Sequence, residues 1–411
     1  MKPTSETSMK ILLSAFACVP AAGSEGGGGW RWALELAADH EVTVVTDITR
    51  REAIEARLSQ ERHPNLRVIY FRPAWLRPVP LNFSTAQLLY TAWQFALLPF
   101  AWRLQKQSHF DLAMHISYGV YRTPSFLGYL GIPFVFGPLG GGEDAPLRLK
   151  RSIKGREKIR ELLRTLVNKL ALFDPFLWAA YAKAALILVR TEDTRNALPW
   201  PYRKRAIVHQ EIGIDVPADI KPAIRQVGEP LRVLYAGRLL GLKGVHFAIR
   251  AMATLWRHGT NCEFTVVGRG PYETELRRLA REEGVEERIR WISYLPQSEL
   301  FSLYREMHCL LFPSLHDSGG NVVLESQAYG LPVICLDLGG PATLVRPDTA
   351  IIVSTQNQNE EGLVRGLVEA IKQLAGDETR RVAMGRAAIT NVSETMSWKN
   401  RVKVALTLLN K

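Results

Sequence analysis

The chain is poor in cysteine. Four occur in 411 residues, Cys18, Cys262, Cys309 and Cys335, and no two form a Cys-x-x-Cys pair. That excludes a thiolate zinc ribbon and a disulfide-stapled scaffold, and it reads as small buried hydrophobes in a reducing compartment. No Asp-x-Asp pair, no repeat of fixed period and no low-complexity tract occurs. There is also no uninterrupted run of the ~20 apolar residues that a transmembrane helix needs. The most apolar stretch, residues 81–104, is broken by Gln87 and Gln94 and carries Pro99, where a kink is expected. It reads as a helix buried between a sheet and a neighbour, with a membrane-inserted segment as the alternative. Acid is scarcer than base: Asp and Glu number 40, Lys and Arg 52, for a net charge of +12. Such a balance suits an anionic partner, whether nucleotide diphosphate, membrane surface or nucleic acid. A nucleic-acid binder would show a known module or a basic stripe interleaved with aromatics, and neither is present. The polar start, residues 1–9, followed by an apolar segment that fits a core strand, reads as a cytoplasmic protein and not as a signal peptide.

What is present is enough chain for two α/β domains. Residues 10–16 read as a first strand, followed by a loop carrying Gly26, Gly27 and Gly28, a helix over 30–38 and a second strand over 41–46. A strand, a glycine loop and a helix start make a phosphate-binding turn, because glycine lets backbone amides approach an anion. Further strands are expected over 65–71, 110–115, 132–136, 185–190 and 206–210, and the 216–230 stretch reads as a linker. His115 ends its strand, where ligands of doubly wound sheets bind, and Gly140, Gly141 and Gly142 follow the next strand. Residues 147–170 hold nine Lys or Arg and two Glu, with Ile159, Leu162, Leu163, Leu166, Val167 and Leu170 at helical spacing. This is either a surface helix packed on the core or an interfacial helix lying on an anionic membrane.

The second half restarts with a strand over 231–236, then Gly237-Arg238-Leu-Leu-Gly241-Leu-Lys243-Gly244. Two cations beside a helix start can hold a diphosphate. The turn Gly268-Arg269-Gly270-Pro271 ends another strand; with Glu273 where a dinucleotide fingerprint needs its third glycine, it argues against a dehydrogenase. The organising stretch is residues 313–338. An apolar strand, 309–312, enters it, Gly319 and Gly320 turn the chain, and a helix begins near Val322. Asp317 stands before the turn and Glu325 on the helix, eight positions on. Carboxylates at that spacing can accept hydrogen bonds from the hydroxyls of a sugar and of a ribose.

Here the sequence resembles the retaining GT-B glycosyltransferases of the family 4 type. Asp317 and Glu325 match that family's Glu-x7-Glu signature with Asp in the first place, and Gly237–Gly244 matches its Gly-Arg-Leu…Lys-Gly motif. Ser318-Gly319-Gly320 replaces a common Gly-Phe-Gly, and Glu211-Ile-Gly-Ile-Asp215 replaces Pro-Asn-Gly-Ile-Asp, so no asparagine contact carries over. The resemblance implies an α/β GT-B fold, two Rossmann-like domains facing across a cleft. The acceptor domain would be 1–215 and the nucleotide-sugar domain 216–395, with a helix, 396–411, packing back on the first. It implies that Arg238 and Lys243 hold the diphosphate, Glu325 the ribose, and Asp317, Ser318, Gly319, Gly320, Asn321 and Val322 the sugar. His115 would touch the sugar's other face. Gly26, Gly27, Gly28, Gly268 and Leu295 would border the nucleotide, and Gly140–Gly142 the acceptor.

The implied activity moves a sugar from a UDP- or GDP-sugar to a hydroxyl of a glycan or lipid-linked acceptor, with retention. No cofactor and no metal are expected: Asp-x-Asp is how the other transferase fold holds a cation on the diphosphate. A sugar-nucleotide epimerase or hydrolase on the same scaffold is the alternative. A peripheral contact with anionic membrane through residues 147–170 is the expected partner surface, and no nucleic acid is expected.

Overall fold

A computed structural model describes residues 8–20, 24–82, 85–153 and 155–409. The chain divides into two compact units. One comprises the residues up to Gly142, Val167–Ile212 and Trp398 onward; the other comprises Glu143–Leu166 and Gly213–Ser397.

The first unit is built on seven parallel strands: β1 (Lys10–Ser14), β2 (Glu41–Thr46), β3 (Leu66–Tyr70), β4 (Leu112–His115), β5 (Phe134–Leu139), β6 (Leu186–Val189) and β7 (Ala206–Val208). Their order is β3-β2-β1-β4-β5-β6-β7. Strands buried on both faces read as apolar runs, and alternate residues feed two cores. Leu12, Val45, Ala113 and Phe134 pack on one face with helix α2 (Ala86–Ser108), through Tyr90, Trp93 and Leu97; α1 (Ser24–Ala37) lies on the other. Ile11, Leu13, Val44 and Met114 pack on the other with α1 (Ser24–Ala37) through Trp30, Trp32 and Leu36, and with the C-terminal helix Trp398–Leu409 through Val402 and Ala405.

Helix α2 is not buried all round. It runs through Pro99 to Ser108, buries one side and exposes Leu88, Phe95 and Trp102 on the other. Among the described residues no helix is long and apolar enough to cross a membrane.

The second unit has six parallel strands: β8 (Leu231–Ala236), β9 (Cys262–Val267), β10 (Ile289–Ile292), β11 (Cys309–Phe312), β12 (Val333–Leu336) and β13 (Ala350–Val353), in the order β10-β9-β8-β11-β12-β13. In both sheets the chain winds outward one way and then restarts beside its first strand. The order therefore reverses between β1 and β4, and between β8 and β11. Ligands of open parallel sheets bind at such a switch point, beyond the strands' carboxyl ends.

Two expectations are corrected. The boundary at 215/216 ignores the excursion of residues 143–166, which belong with the second unit. Polar anchors explain it. The Arg148 guanidinium donates to the carbonyls of Gln358 and Thr355 at 2.7 and 3.0 Å. The Ser152 amide donates to the Glu360 carboxylate at 2.7 Å, and the Tyr272 hydroxyl donates to the Ser152 carbonyl at 3.3 Å. The helix that starts here, α3 (Gly155–Leu170), straddles the division of the chain. Its apolar stripe, Ile159, Leu162, Leu163, Leu166, Val167 and Leu170, stays 47–60% exposed and is not spent on a core.

The second correction concerns Gly26, Gly27 and Gly28. They are not a loop before a helix: α1 begins at Ser24, so they lie in its first turns. The Val19 amide donates to the Gly26 carbonyl at 2.9 Å, which folds the strand end onto the helix. The reason for glycine shows one residue further on. A Cβ on Gly29 would overlap the Ala17 carbonyl, whereas one on Gly28 meets only the Trp398 ring at 3.9 Å. Alanine is favoured over glycine inside a helix by about 1 kcal/mol. We therefore expect Gly28→Ala to raise unfolding stability by up to about 1 kcal/mol, and Gly29→Ala to lower it. Urea unfolding of the two variants decides; equal effects would mean that the glycines are not in a helix.

Candidate functional site

In the second unit, the loops after β8, β9, β10 and β11 converge at the switch point. The chain leaves β8 at Gly237, passes Arg238 and the single turn Gly241–Lys243, and enters α4 (Val245–Arg257) through Gly244. Gly244 has φ +71° and abuts the Pro313 carbonyl so closely that a Cβ would overlap it. No other residue takes that conformation without strain while leaving room for the neighbouring loop. The two loops are then laced together. The Leu315 amide donates to the Leu242 carbonyl at 2.8 Å, and Lys243 Nζ donates to the His316 carbonyl at 3.0 Å and to Asp317 Oδ2 at 2.6 Å. The loop after β9 joins from the other side, where the Leu239 amide donates to the Arg269 carbonyl at 3.1 Å.

Asp317 is fully engaged. Its Oδ1 accepts the amides of Gly319 and Gly320 at 3.2 and 3.0 Å, and Lys243 takes Oδ2. Burial works to raise its pKa, but the adjacent ammonium and the loop amides outweigh it and hold the carboxyl below its ordinary range. A carboxylate so occupied fixes the turn and positions Lys243, so its direct grip on a sugar is reduced to whatever those bonds leave. The Gly319 and Gly320 amides are likewise spent on Asp317. The next two donors differ. Helix α5 (Asn321–Ala328) starts after Gly320, which adopts φ +77°. The amides of Asn321 and Val322 sit in its first turn, where an α-helix offers no carbonyl one turn back. Ser318, Gly319, Asn321 and Val322 are all partly exposed. Lys243 has three N–H donors and two are used here, leaving one for an anion. Arg238, five residues before it in the same loop, is exposed.

Glu325, one turn into α5, accepts from Gln297 Nε2 and from the Tyr304 hydroxyl, each at 3.2 Å. Burial raises its carboxyl to about 7, against the lowering effect of those two donors. Leu295 lies in the same β10 loop, two residues before Gln297 and half-buried. Gly268 serves packing: a Cβ there would overlap the Gly237 carbonyl.

The first unit places the other candidates differently. His115 pairs with Ser14 at that unit's switch point but is wholly buried. The Tyr90 hydroxyl lies 2.8 Å from its Nε2 and Ser14 Oγ lies 3.2 Å from its Nδ1. Burial lowers its pKa to about 3, so the imidazole is neutral, and in this structure both ring nitrogens face protein hydroxyls. Gly140 exchanges backbone bonds with the 119–121 turn, and the Gly142 amide donates to Thr194 Oγ1 at 3.2 Å. These bonds close the loop after β5. Gly26–Gly28 have been placed in α1.

Several partners were not legible in sequence. Glu157 on α3 accepts the Gly241 amide at 2.7 Å, at the heart of the Arg238–Lys243 loop. His316 Nδ1 donates to the Glu143 carbonyl at 3.0 Å, and Arg164 donates to the same oxygen at 2.8 Å. Arg269 lies over the ring of Tyr294, 5.6 Å from its centroid, and Tyr294 is 65% exposed beside Leu295. The sequence signal for Glu157 was present as one of two acids on a basic helix, but its target lies 84 residues on.

Residues 218–390 match the family model for glycosyl transferases group 1. The chain is 33% identical over 186 residues to a D-inositol 3-phosphate glycosyltransferase of Corynebacterium aurimucosum, covering 43% of this chain and 42% of that protein. It is 28% identical over 156 residues to an alpha-D-kanosaminyltransferase of Streptomyces kanamyceticus, covering 38% of this chain and 39% of that one. The match thus spans less than half the length of these curated relatives. Solved structures align almost throughout. Sucrose-phosphate synthase of Thermosynechococcus elongatus superposes with TM-score 0.66 at 19% identity, covering 98% of both chains. Anabaena HepE in complex with UDP superposes with TM-score 0.62 at 16% identity, covering 98% of this chain and all of that one. At that identity the likeness shows the fold, two Rossmann-like units of the GT-B kind.

Glu325 binds its proton more tightly in the folded chain than in the unfolded one. Its folded value, about 7, exceeds the ordinary 4.5, so the folded state binds the extra proton. This group therefore adds stability at low pH, and the contribution is lost as pH rises from about 5 to 7. Glu325→Gln should flatten that segment of the stability–pH curve, measured by urea unfolding at steps across the window. An unchanged slope would place the titrating group elsewhere.

Proposed function

We propose, from the match of residues 218–390 to the glycosyl transferases group 1 model, that this protein transfers a sugar from a nucleotide diphosphate sugar to a hydroxyl of a glycan or lipid-linked acceptor. In this reading the donor is a UDP- or GDP-sugar, the anomeric configuration is retained, and no metal takes part. The observation that carries it is the set of donors and acceptors gathered at one switch point. The remaining N–H of Lys243, the exposed Arg238 and the Asn321 and Val322 amides face anion chemistry there, and Glu325 offers acceptor oxygens on the helix that follows.

The chemistry follows from charge. As the bond from the anomeric carbon to the phosphate oxygen breaks, negative charge grows on the diphosphate. A cation already fixed by Asp317 and by the His316 carbonyl stabilises that charge without reorganising at the moment of reaction. The acceptor hydroxyl adds to the face the diphosphate leaves and gives its proton to a phosphate oxygen, so no protein base is assigned. Glu325, relieved of its proton, takes the ribose hydroxyls; Tyr294 beside Leu295 gives the base a ring to lie against. A peripheral contact with anionic lipid through residues 147–170 belongs to the same reading. Its support is the exposed stripe of α3 with basic residues beside it.

The test is a thermal-shift panel with UDP, GDP, ADP, CMP and dTDP, followed by product analysis with and without acceptor. One diphosphate should raise the unfolding midpoint by mass action. No shift in folded protein would overturn the clamp, and turnover of the sugar nucleotide without acceptor would make this an epimerase or hydrolase. Lys243→Ala should cost about 2–4 kcal/mol in kcat/KM, the scale for losing a group aimed at developing charge; near-normal kcat/KM would displace it from the diphosphate. EDTA should leave turnover unchanged, and a loss restored by Mg2+ would refute metal independence. Affinity for a nucleotide sugar, whose doubly esterified diphosphate does not titrate near neutrality, should strengthen as pH rises through about 7, with Glu325→Gln removing the trend.

A further inference from the structure

The first unit carries an exposed aromatic face that neither its core nor the donor site uses. On α2, Leu88, Phe95 and Trp102 recur every seven residues and lie on one line of the helix, 74%, 43% and 49% exposed. Trp75, on the short turn Ala74–Leu76, is 64% exposed. Phe176 meets the Phe95 ring edge-on at 5.4 Å and is itself 53% exposed. Beside this ridge lies a shallow trough of about 450 Å3, walled by Phe71, Trp75, Phe95, Pro99 and Phe100, with Arg103 the charged member of its lining. An apolar patch of this kind on a protein surface marks something that covers it.

Charge says what covers it. Between Glu61 and Asp111 the chain has no acidic residue. Arg77, Arg103 and Lys106, all exposed, belong to the same segment. Asp174, the acid beside Phe176 in sequence, is engaged in capping its own helix by accepting the Phe176 amide at 2.9 Å. A protein partner of this chain's own kind would bring its net positive charge to a face that is already basic. An anionic bilayer meets every term: apolar and indole side chains enter the acyl boundary, and arginine and lysine reach the phosphates with their charged ends. The trough gives an acyl chain a wall to lie along.

We propose that this face of the first unit, Trp75 with Leu88, Phe95 and Trp102, docks on an anionic lipid bilayer. It is a different surface from the α3 stripe, and the proposal stands whether or not the transferase reading holds, because it concerns binding to lipid alone. In this arrangement the unit that the resemblance assigns to the acceptor rests on the membrane surface by its own side chains.

The experiment uses the full chain and sucrose-loaded vesicles of phosphatidylcholine, with and without phosphatidylglycerol, at low salt. The protein should sediment with the anionic vesicles and partition at least about tenfold less with Trp75→Ser/Leu88→Ser, given the apolar area withdrawn from the acyl boundary. Both side chains are largely exposed, so the fold should survive, as the unfolding midpoint will report. Leu162→Ser/Leu166→Ser on α3 serves as the second arm and should leave a clear residual binding. Quenching of tryptophan emission by brominated lipid should fall in Trp75→Phe. Three outcomes overturn the proposal: no vesicle binding by the native chain, binding that the α3 variant abolishes and the Trp75/Leu88 variant leaves intact, or a concentration-dependent dimer that Leu88→Ser dissolves, which would make the face an interface between copies.

Discussion

Lys243 and Asp317 stand 74 residues apart and meet at 2.6 Å, each with less than a fifth of its side chain exposed. An ion pair largely withdrawn from water repays its desolvation only if its geometry is good and its other bonds are satisfied. Both conditions are met. The ammonium has a second acceptor in the His316 carbonyl, and the carboxylate has two backbone donors from its own turn. Around this contact the loops after β8 and β11 lose their independence. The sheet sets their spacing, because β8 and β11 are hydrogen-bonded neighbours at the reversal of strand order. Gly244 lets them touch, and the Leu315–Leu242 bond holds them in register. The groups proposed to hold the diphosphate are therefore arranged before any ligand arrives, which is what electrostatic preorganisation requires.

The same contact gives Asp317 a role different from that of Glu325. Two carboxylates eight residues apart on a turn and a helix are alike in sequence. Their surroundings separate them. The first is held below its ordinary range by an adjacent ammonium, the second raised to about 7 by burial with only neutral donors for company. One is a fixed part of the frame, and the other changes charge near neutrality and can be drawn into its ionised form by hydroxyl donors. The shorter side chain at position 317 fits this division. An aspartate reaches the amides two and three residues ahead of it, and that local turn is the contact it makes with Gly319 and Gly320.

Much of the fold was legible because parallel strands announce themselves. Runs such as Cys309–Phe312 and Val333–Leu336 are apolar on both faces, and the glycines that follow β8, β9 and β11 fall at the strand ends where chains turn. The local motifs fixed Arg238, Lys243, Asp317 and Glu325 within a single unit, and the structure brings Lys243 and Asp317 into contact. What remained hidden was non-local. Nothing near His115 in sequence says that Tyr90 will come within hydrogen-bonding distance of its ring and that burial will strip its charge. Nothing in the run Gly26–Gly29 distinguishes a phosphate loop from a helix start pressed against Ala17, because both need the same missing side chain. The apolar stripe of α3 and the ridge on α2 have the spacing of core-facing helices; only the neighbours that fail to arrive reveal that they face outward.

The excursion of residues 143–166 shows where sequence order misleads most. A reading by domains assigns this segment to the first half of the chain, yet its polar side chains are satisfied by the second unit. Glu157 accepts the amide of Gly241, a donor that would otherwise be open in the turn leading to Lys243. Burial of that carboxylate works to raise its pKa, while the Gly241 amide works to lower it; the net shift is upward. A carboxylate beside the proposed diphosphate site is unfavourable in itself, since it opposes the charge a diphosphate would bring. Its position makes sense as a structural tie: it accepts the amide that opens the turn Gly241–Lys243 and so fixes that turn. The basic character of the rest of α3 then follows as compensation, keeping the local field positive although one acid is spent on shaping the loop. On this argument α3 and the loop 237–244 are one device, and a change in how the start of that helix is held would be felt first at Gly241 and next at Lys243.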